Sequence, residues 1–510
     1  MEIKGDNIKI TETIFDGFFE KGVECDFIVP DYYPDILKII FVEAVHRIKG
    51  KIIGNDKLTI KGDLEFRVVY YADGDGQIKV LNLPCEFEHS FDVKGINSNS
   101  MVKLKVKVEN SSCRVLNPRK ISVKGIVCLV AKVLENKECE TVKEIGSEDF
   151  ELLTKEIEVY TLNSKAEKIL NISEELEINS SMPLVKSLIK TDAVFKTEDI
   201  KLLSNKIIIR GTTFIKSLYL SEDDTIEVFE NELPFTQIID VDGVDESCDC
   251  EIKYEIDSVN CSKKENKDGE NALLTLDLSC NSVANIYKNK SFKAIIDAYN
   301  VDYEIKLEKK QLKIVSLIEK KSDSNNNKNS LDFEDSISKI IDIKLEPSIS
   351  SASLNGMTMV LEGSIEANIL AFDLSNNLLS INKTIPLSYS SEIKEKCENM
   401  SFEPEIAIED ISYTFISENR IDIRYETLIN TVVLGTQKES VVSEIFLDET
   451  KPKEKVKALP ITLYFAKSGE SIWSIAKKYN ASQEIVKKAN DSENEILLED
   501  KMLLIPRKKY

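Results

Sequence analysis

Two histidines, His46 and His89, are the side chains of this 510-residue chain best suited to moving a proton near neutral pH. Neither lies near a Ser, Cys or Asp at a spacing that would pair a nucleophile with a base. Both sit among alternating polar and apolar residues, where an imidazole serves packing or meets solvent. Cys248-Asp249-Cys250 is the one close pair among ten cysteines. In an extended segment its two sulfurs would share a face and could begin a metal site, but two further ligands of suitable spacing are missing. Ala72-Asp73-Gly74-Asp75-Gly76 carries the acids of a calcium loop and the glycines of a phosphate loop. It lacks the Glu that the first needs at the twelfth position and the glycine spacing of the second, so it reads as a hairpin turn. Asp31, Asp35 and the many other carboxylates read as solvated surface. The residues assign no catalytic group, no metal and no cofactor, and the expectation is a protein that is not an enzyme.

The charge balance narrows the partners. A formal net charge of -22 argues against nucleic acid, whose phosphates need clustered Lys and Arg. Hydrophobic content is an ordinary 42%, and no stretch approaches the roughly 18 to 20 apolar residues of a membrane helix. The first residues, Met1 to Lys9, hold no apolar segment of an export signal. The expectation is a cytoplasmic chain with its ten thiols reduced.

The elements that position these residues repeat. Lys57-Leu58-Thr59-Ile60-Lys61-Gly62 matches Lys206-Ile207-Ile208-Ile209-Arg210-Gly211, and Tyr70 and Tyr219 follow the two glycines at the same distance. A third, more worn copy holds Met359-Val360-Leu361-Glu362-Gly363. Gly62 to Gly211 is 149 residues and Gly211 to Gly363 is 152, so the repeat is a whole domain rather than a solenoid turn. Within it Leu58, Ile60, Leu64, Phe66, Val68 and Tyr70 alternate with polar residues, the signature of a half-buried strand. A run that long predicts a bulge or bend at Gly62, Gly211 and Gly363, letting one strand serve two sheets or wrap a barrel.

Tyr33 to Val45 and Asn163 to Ile189 read as more helical connectors. The polar stretch Lys320 to Ser330 reads as a linker, as does Thr450 to Lys455, which would leave the end of the chain tethered and free to swing.

That end differs in kind, with nine basic against seven acidic residues over 461–510. A strand from Ile461 to Ala466 precedes Ser471, a helix N-cap, and Ile472, Ile475, Ala476 and Tyr479 form one apolar stripe. Trp473 falls about 100° off that stripe. It is then either an exposed anchor for a partner or packed under a neighbouring strand or loop, and the first reading is preferred. Ser482 caps a second helix with Ile485, Val486 and Ala489, Asn490 closes it, and Met502 to Pro506 returns as a strand.

The strand–helix–helix–strand order, the segment Tyr464 to Tyr479, the Ala489-Asn490 pair and Leu504-Ile505-Pro506 resemble a LysM domain. The resemblance implies a binding surface drawn from Tyr464, Gly469, Glu470, Ser471, Trp473 and Asn490. Glu470-Ser471 and Asp500-Lys501 depart from the family's usual Asp-Thr and Gly-Gln in the loops that form a saccharide groove, which weakens the expectation of glycan binding.

Three β-rich repeats with one such unit resemble the SipL-type spore-coat morphogenetic proteins, whose repeats are SPOCS domains. Val29 to Ile39 and Asn117 to Val123 look like that family's recurring segments. The resemblance implies a mainly β chain, with repeats at 1–150, 151–319 and 337–449, linkers at 320–336 and 450–459, and a βααβ LysM unit at 460–510. It further implies a mother-cell scaffold that encases the forespore at its outer membrane and binds the coat morphogenetic ATPase through the LysM unit. The other reading is a peptidoglycan-binding wall protein.

Overall fold

A computed structural model describes residues 3–506 apart from 75, 147, 148, 267–269, 271, 398, 454–460 and 493. Among the described residues it holds twenty strands and two short helices, so the chain is mainly β. The first repeat comprises β1 (Ile3–Ile28), β2 (Ile36–Gly54), β3 (Lys57–Ala72), β4 (Ile78–Asp92), β5 (Met101–Asn117) and β6 (Lys120–Ile145). They form two antiparallel sheets, ordered β1-β6-β5 and β2-β3-β4. Leu58, Ile60, Leu64 and Phe66 of β3 meet Ile121, Val123, Val127 and Leu129 of β6 in one fully buried core. The alternation in sequence is therefore the inner face of a sandwich.

The same order recurs. The second repeat runs through β7 (Phe150–Glu177), β8 (Val185–Leu203), β9 (Lys206–Ser221), β10 (Ile226–Asp240), β11 (Cys248–Lys264) and β12 (Leu273–Asn300). The third runs through β13 (Tyr303–Asp332), β14 (Ile337–Asn355), β15 (Thr358–Asp373), β16 (Leu378–Glu392), β17 (Asn399–Ser417) and β18 (Arg420–Pro452). In each, the sixth strand lies between the first and the fifth, and the second to fourth make a meander.

Gly62, Gly211 and Gly363 mark bends, but no strand changes sheets there. Each glycine lies beside a bulge on the neighbouring strand, between Ile48 and Gly50, Thr197 and Asp199, and Ile349 and Ser351. The bulge pushes a carbonyl inward, so a Cβ on Gly62 would sit 2.4 Å from the oxygen of Arg47 and one on Gly211 2.2 Å from that of Lys196. Tyr70 and Tyr219 both donate to a proline carbonyl, of Pro34 at 3.1 Å and Pro183 at 2.9 Å.

Several sequence expectations are corrected. Tyr33 to Val45 is not helical: from Ile36 it is β2, where bulges after Ile36 and Ile39 turn Ile36, Ile39 and Val42 inward at intervals of three residues. That spacing imitates a helix. Asn163 to Ile189 falls on β7 and β8, where charged Lys168 and Glu174 interrupt a period-two pattern. The stretch Lys320 to Ser330 is not a linker but the latter part of β13, paired with β18 from Val432 to Asp422. Its inner positions are polar because they find polar partners: Asn327 donates to Thr427 at 2.8 Å and Asn329 accepts from Tyr425 at 2.9 Å. The third repeat thus begins at Tyr303; Thr450 to Pro452 of the second expected linker are the end of β18, where Pro452 pairs with Tyr303, while residues 454–459 lie outside the described residues, as does Asp75 of the hairpin. Nor are all thiols reduced, because Cys25 of β1 and Cys85 of β4 form a disulfide between facing sheets, with Cα atoms 6.2 Å apart.

The repeats are not beads on a string. Val69, Leu218 and Leu370 hold the same place on the central meander strand of successive repeats, and they meet in one shared core. A second shared core takes Ile8 and Ile10 from the first repeat, Ile157 and Val159 from the second and Leu312 and Ile314 from the third. Charges converge likewise. Lys190, with its side chain 8% exposed, reaches Glu43 at 3.7 Å, Asp192 at 3.0 Å and Asp342 at 3.6 Å, one acid from each repeat. Burial would raise the pKa of Glu43, but Lys190, Lys344 and Arg67 outweigh it and hold the carboxyl well below its ordinary range. Equivalent residues thus gather about one centre, as in a trimer whose subunits are fused.

Candidate functional site

The end of the chain folds as β19 (Ile461–Ala466), α1 (Ile472–Tyr479), α2 (Gln483–Ala489) and β20 (Lys501–Pro506), with β19 and β20 antiparallel. Ile472, Ile475 and Ala476 are buried and Tyr479 is half-buried, as their helical spacing predicts. Ser471 caps α1 by accepting from the backbone N–H of Ser474 at 3.1 Å. Ser471→Ala is expected to lower the melting midpoint of this unit through a loss of about 1 kcal/mol, read by thermal circular dichroism. Ser482 stands at the start of α2 but its side chain makes no capping bond, and of the three residues expected in the second stripe only Val486 is buried.

The residues singled out from sequence mostly hold the unit together. The Tyr464 hydroxyl donates to Glu470 at 3.0 Å, and Glu470 also accepts from the backbone of Lys467 at 2.9 Å. Gly469 turns this loop at a φ of +89°, where a side chain is strained. Asn490 accepts from the backbone of Leu504 at 2.7 Å and donates to Val486 at 2.8 Å, tying α2 to β20. Asp500 accepts from the backbone N–H of Ser468 at 2.8 Å and so joins the two loops that would flank a saccharide.

Trp473 is placed differently from the expectation of an exposed anchor. It is 7% exposed, and its indole packs edge-on against Tyr299 of the second repeat with centroids 4.9 Å apart. Its Nε1 donates to Asp297 at 2.9 Å, and Lys477 reaches the same carboxylate at 2.6 Å. Burial works against the charge on Asp297, but bonds from Lys477 and Trp473 overcome it and lower its pKa. Lying off the stripe does turn Trp473 away from its own unit. What covers it is a strand 176 residues away in sequence, which local spacing cannot reveal.

The unit's other face is open. Ile461, Leu463 and Phe465 on β19 are 51%, 60% and 70% exposed, and Met502 and Leu504 on β20 are 56% and 40% exposed. Alternation places all five on one side of the two-stranded sheet. The sequence signal was present, since β19 is apolar on both faces, but it reads equally as a buried strand.

Elsewhere the chemistry is that of packing. His89 stacks on Phe19 with centroids 3.4 Å apart, and burial lowers the pKa of His46 despite the opposing pull of Glu255. Cys248 and Cys250 do share a face, but both point into the core of the second repeat. Glu20, Glu109 and Cys128 bring ligand atoms within 4.8 Å of one another, and burial and the neighbouring carboxylates raise the pKa of the Cys128 thiol. A cavity of about 640 Å³ lies where the repeats meet, lined by Lys103, Lys132, Lys253, Glu251 and Glu403 among others. Burial disfavours the charge on Glu403, but Lys103 and Lys132 outweigh it and hold its pKa down to about 2. Its carboxylate is an ion-pair partner at neutral pH rather than a proton donor. No helix among the described residues is long and apolar enough to cross a membrane.

A family model described as SipL, SPOCS domain matches residues 35–116, 184–264 and 336–416. Each match takes in the meander and the fifth strand of one repeat. No curated protein and no solved structure matches the chain.

Proposed function

This chain belongs to the SipL family of SPOCS-domain, spore-coat-related proteins, and from that premise we propose that it is a non-enzymatic scaffold whose terminal unit docks onto the coat morphogenetic ATPase. The observation that carries this reading is the open apolar face of β19 and β20. Five large side chains held in water on one side of a small sheet are the signature of a docking surface. The unit carries about +2 of charge on a body of about -24, so an acidic partner would be drawn to the end of the chain and not to the repeats. The fused sandwiches supply the body against which the unit packs, placed in the mother-cell cytoplasm at the forespore surface. Glycan binding is disfavoured by the bond between Asp500 and Ser468, which closes the loops a saccharide would enter.

The test is to titrate the full chain with the ATPase, using chitin oligosaccharide as the parallel ligand. Phe465→Glu is expected to weaken the ATPase by about 30-fold or more, a hot-spot loss of about 2 kcal/mol. Equal affinity of variant and wild type would remove β19 from the interface. A response to the saccharide alone would return the unit to wall binding.

A further inference from the structure

We propose that the contact between the terminal unit and the second repeat is a latch, which keeps the Trp473 face closed in the free chain and opens when the unit engages its partner; the inference rests on the docking function above and adds its regulation. The contact is specific to one repeat. In each sandwich a bulge on the sixth strand is followed by an acid: Glu144, Asp297 and Glu444. Two positions on stand Gly146, Tyr299 and Phe446, and opposite the acids stand Lys4, Leu153 and Glu308. Only the second repeat flanks its acid with both an aromatic ring and an apolar residue, and only there does the terminal unit sit.

The grip falls on helix α1 and on the turn between the helices. Asp297 accepts from Trp473 and Lys477, the Tyr299 hydroxyl donates to the carbonyl of Ala481 at 2.7 Å, and Lys453 donates to Asn480 at 2.7 Å. Glu151 accepts from the backbone N–H of Gln483, the first of α2, at 3.3 Å, at a helix start where Ser482 makes no capping bond. The repeat therefore completes the unit's own helix end. Only the margin of the contact meets water: the side chains of Lys477 and Asp297 are 41% and 20% exposed, whereas Tyr299 and Trp473 at its centre are 2% and 7% exposed. Its opening would bare a large aromatic ring on the face opposite the exposed sheet, so that the unit would offer a partner apolar surface on two sides.

Trp473 is the only tryptophan, so fluorescence of the full chain reads the latch directly. Asp297→Lys sets a third cation against Lys477 and Lys309, which lies 3.6 Å from Asp297, and leaves the indole N–H without its acceptor. It is expected to shift emission to the red, to raise acrylamide quenching, and to tighten ATPase binding by about fivefold or more as the closed state is lost. Lys477→Glu should do the same from the other side, and Asp297→Lys with Lys477→Glu, which restores the ion pair, should reverse both effects in part. Unchanged quenching in Asp297→Lys would overturn the latch. Exposed Trp473 with unchanged or weaker ATPase binding would overturn its masking role. Quenching that responds while neither wild type nor variant binds the ATPase would keep the closed contact and defeat the docking function itself.

Discussion

Lys190→Met is expected to destabilise the whole chain by about 3 kcal/mol at neutral pH, with all three repeats affected together. Lys190 is the one cation that reaches all three of Glu43, Asp192 and Asp342, and its loss leaves acids from three sandwiches short of a positive charge in a buried site. Met fills the space, so the effect is electrostatic rather than a cavity. Lys216, 2.6 Å from Asp342, and Lys344, 2.9 Å from Glu43, compensate in part, which is why the figure is not larger.

The pH dependence follows from the signs. Burial works against the charge on Lys190, but Glu43, Asp192 and Asp342 outweigh it and raise its pKa. Its stabilisation is fully present below the unfolded lysine value of about 10.4 and is lost as pH rises through the higher folded value. The Glu43 pKa is depressed, so its contribution is present above the unfolded value of about 4.3 and is lost as pH falls through the lower folded value. The contribution of Lys190 and Glu43 is therefore flat between those limits, whereas the loss caused by the substitution should shrink on acidification as the acids left short of a cation take up protons. Urea unfolding at neutral and mildly acid pH checks both. Equal midpoints for wild type and variant at neutral pH would mean that the repeats do not share this cluster.

Much of the fold was legible because the strands of this chain obey period two where they face a core. Leu58 to Tyr70 and its copies at Ile207 and Met359 announce a repeated sheet without help from any relative. Where a bulge or a polar inner face breaks that rule, reading by pattern fails. The bulges in β2 put Ile36, Ile39 and Val42 at a helical interval. In β13 the inner places held by Phe19, Val23 and Cys25 in the first repeat carry Asp323, Asn327 and Asn329, whose backbone pairing is invisible in composition. The gathering of the repeats about one centre was out of reach for a different reason. Glu43, Asp192 and Lys344 are equivalent in sequence yet differ in charge, and only the packing of three sandwiches explains the difference: identical charges meeting at an axis would repel. Trp473 was found by its type and misjudged in its surroundings.

Gly211→Ala is expected to cost about 3 kcal/mol and to do so through the second repeat first, although it adds a single carbon to a strand. The backbone there is ordinary extended chain, so the restriction is one of space. The new Cβ would lie 2.2 Å from the carbonyl oxygen of Lys196 and 2.9 Å from the ring of Phe235. The ring can rotate, but the oxygen belongs to the strand whose bulge, between Thr197 and Asp199, sets its position. Relief therefore requires β8 to move away from β9, which separates the strands that carry Lys190 and Leu218 into the shared centre. Gly62→Ala should behave alike at 2.4 Å, and Gly363→Ala at 2.0 Å. Gly22→Ala, with nothing within 4 Å of its Cβ, is the control and should be near neutral. Denaturant midpoints that rank the three repeat glycines together, well below this control, would establish the bulge–glycine pair as the device that each copy uses to bend its meander over the core. Tolerance of Ala at Gly211 would show that the strand can slide there without loss, and the repetition of glycine at that place would then lack a steric cause.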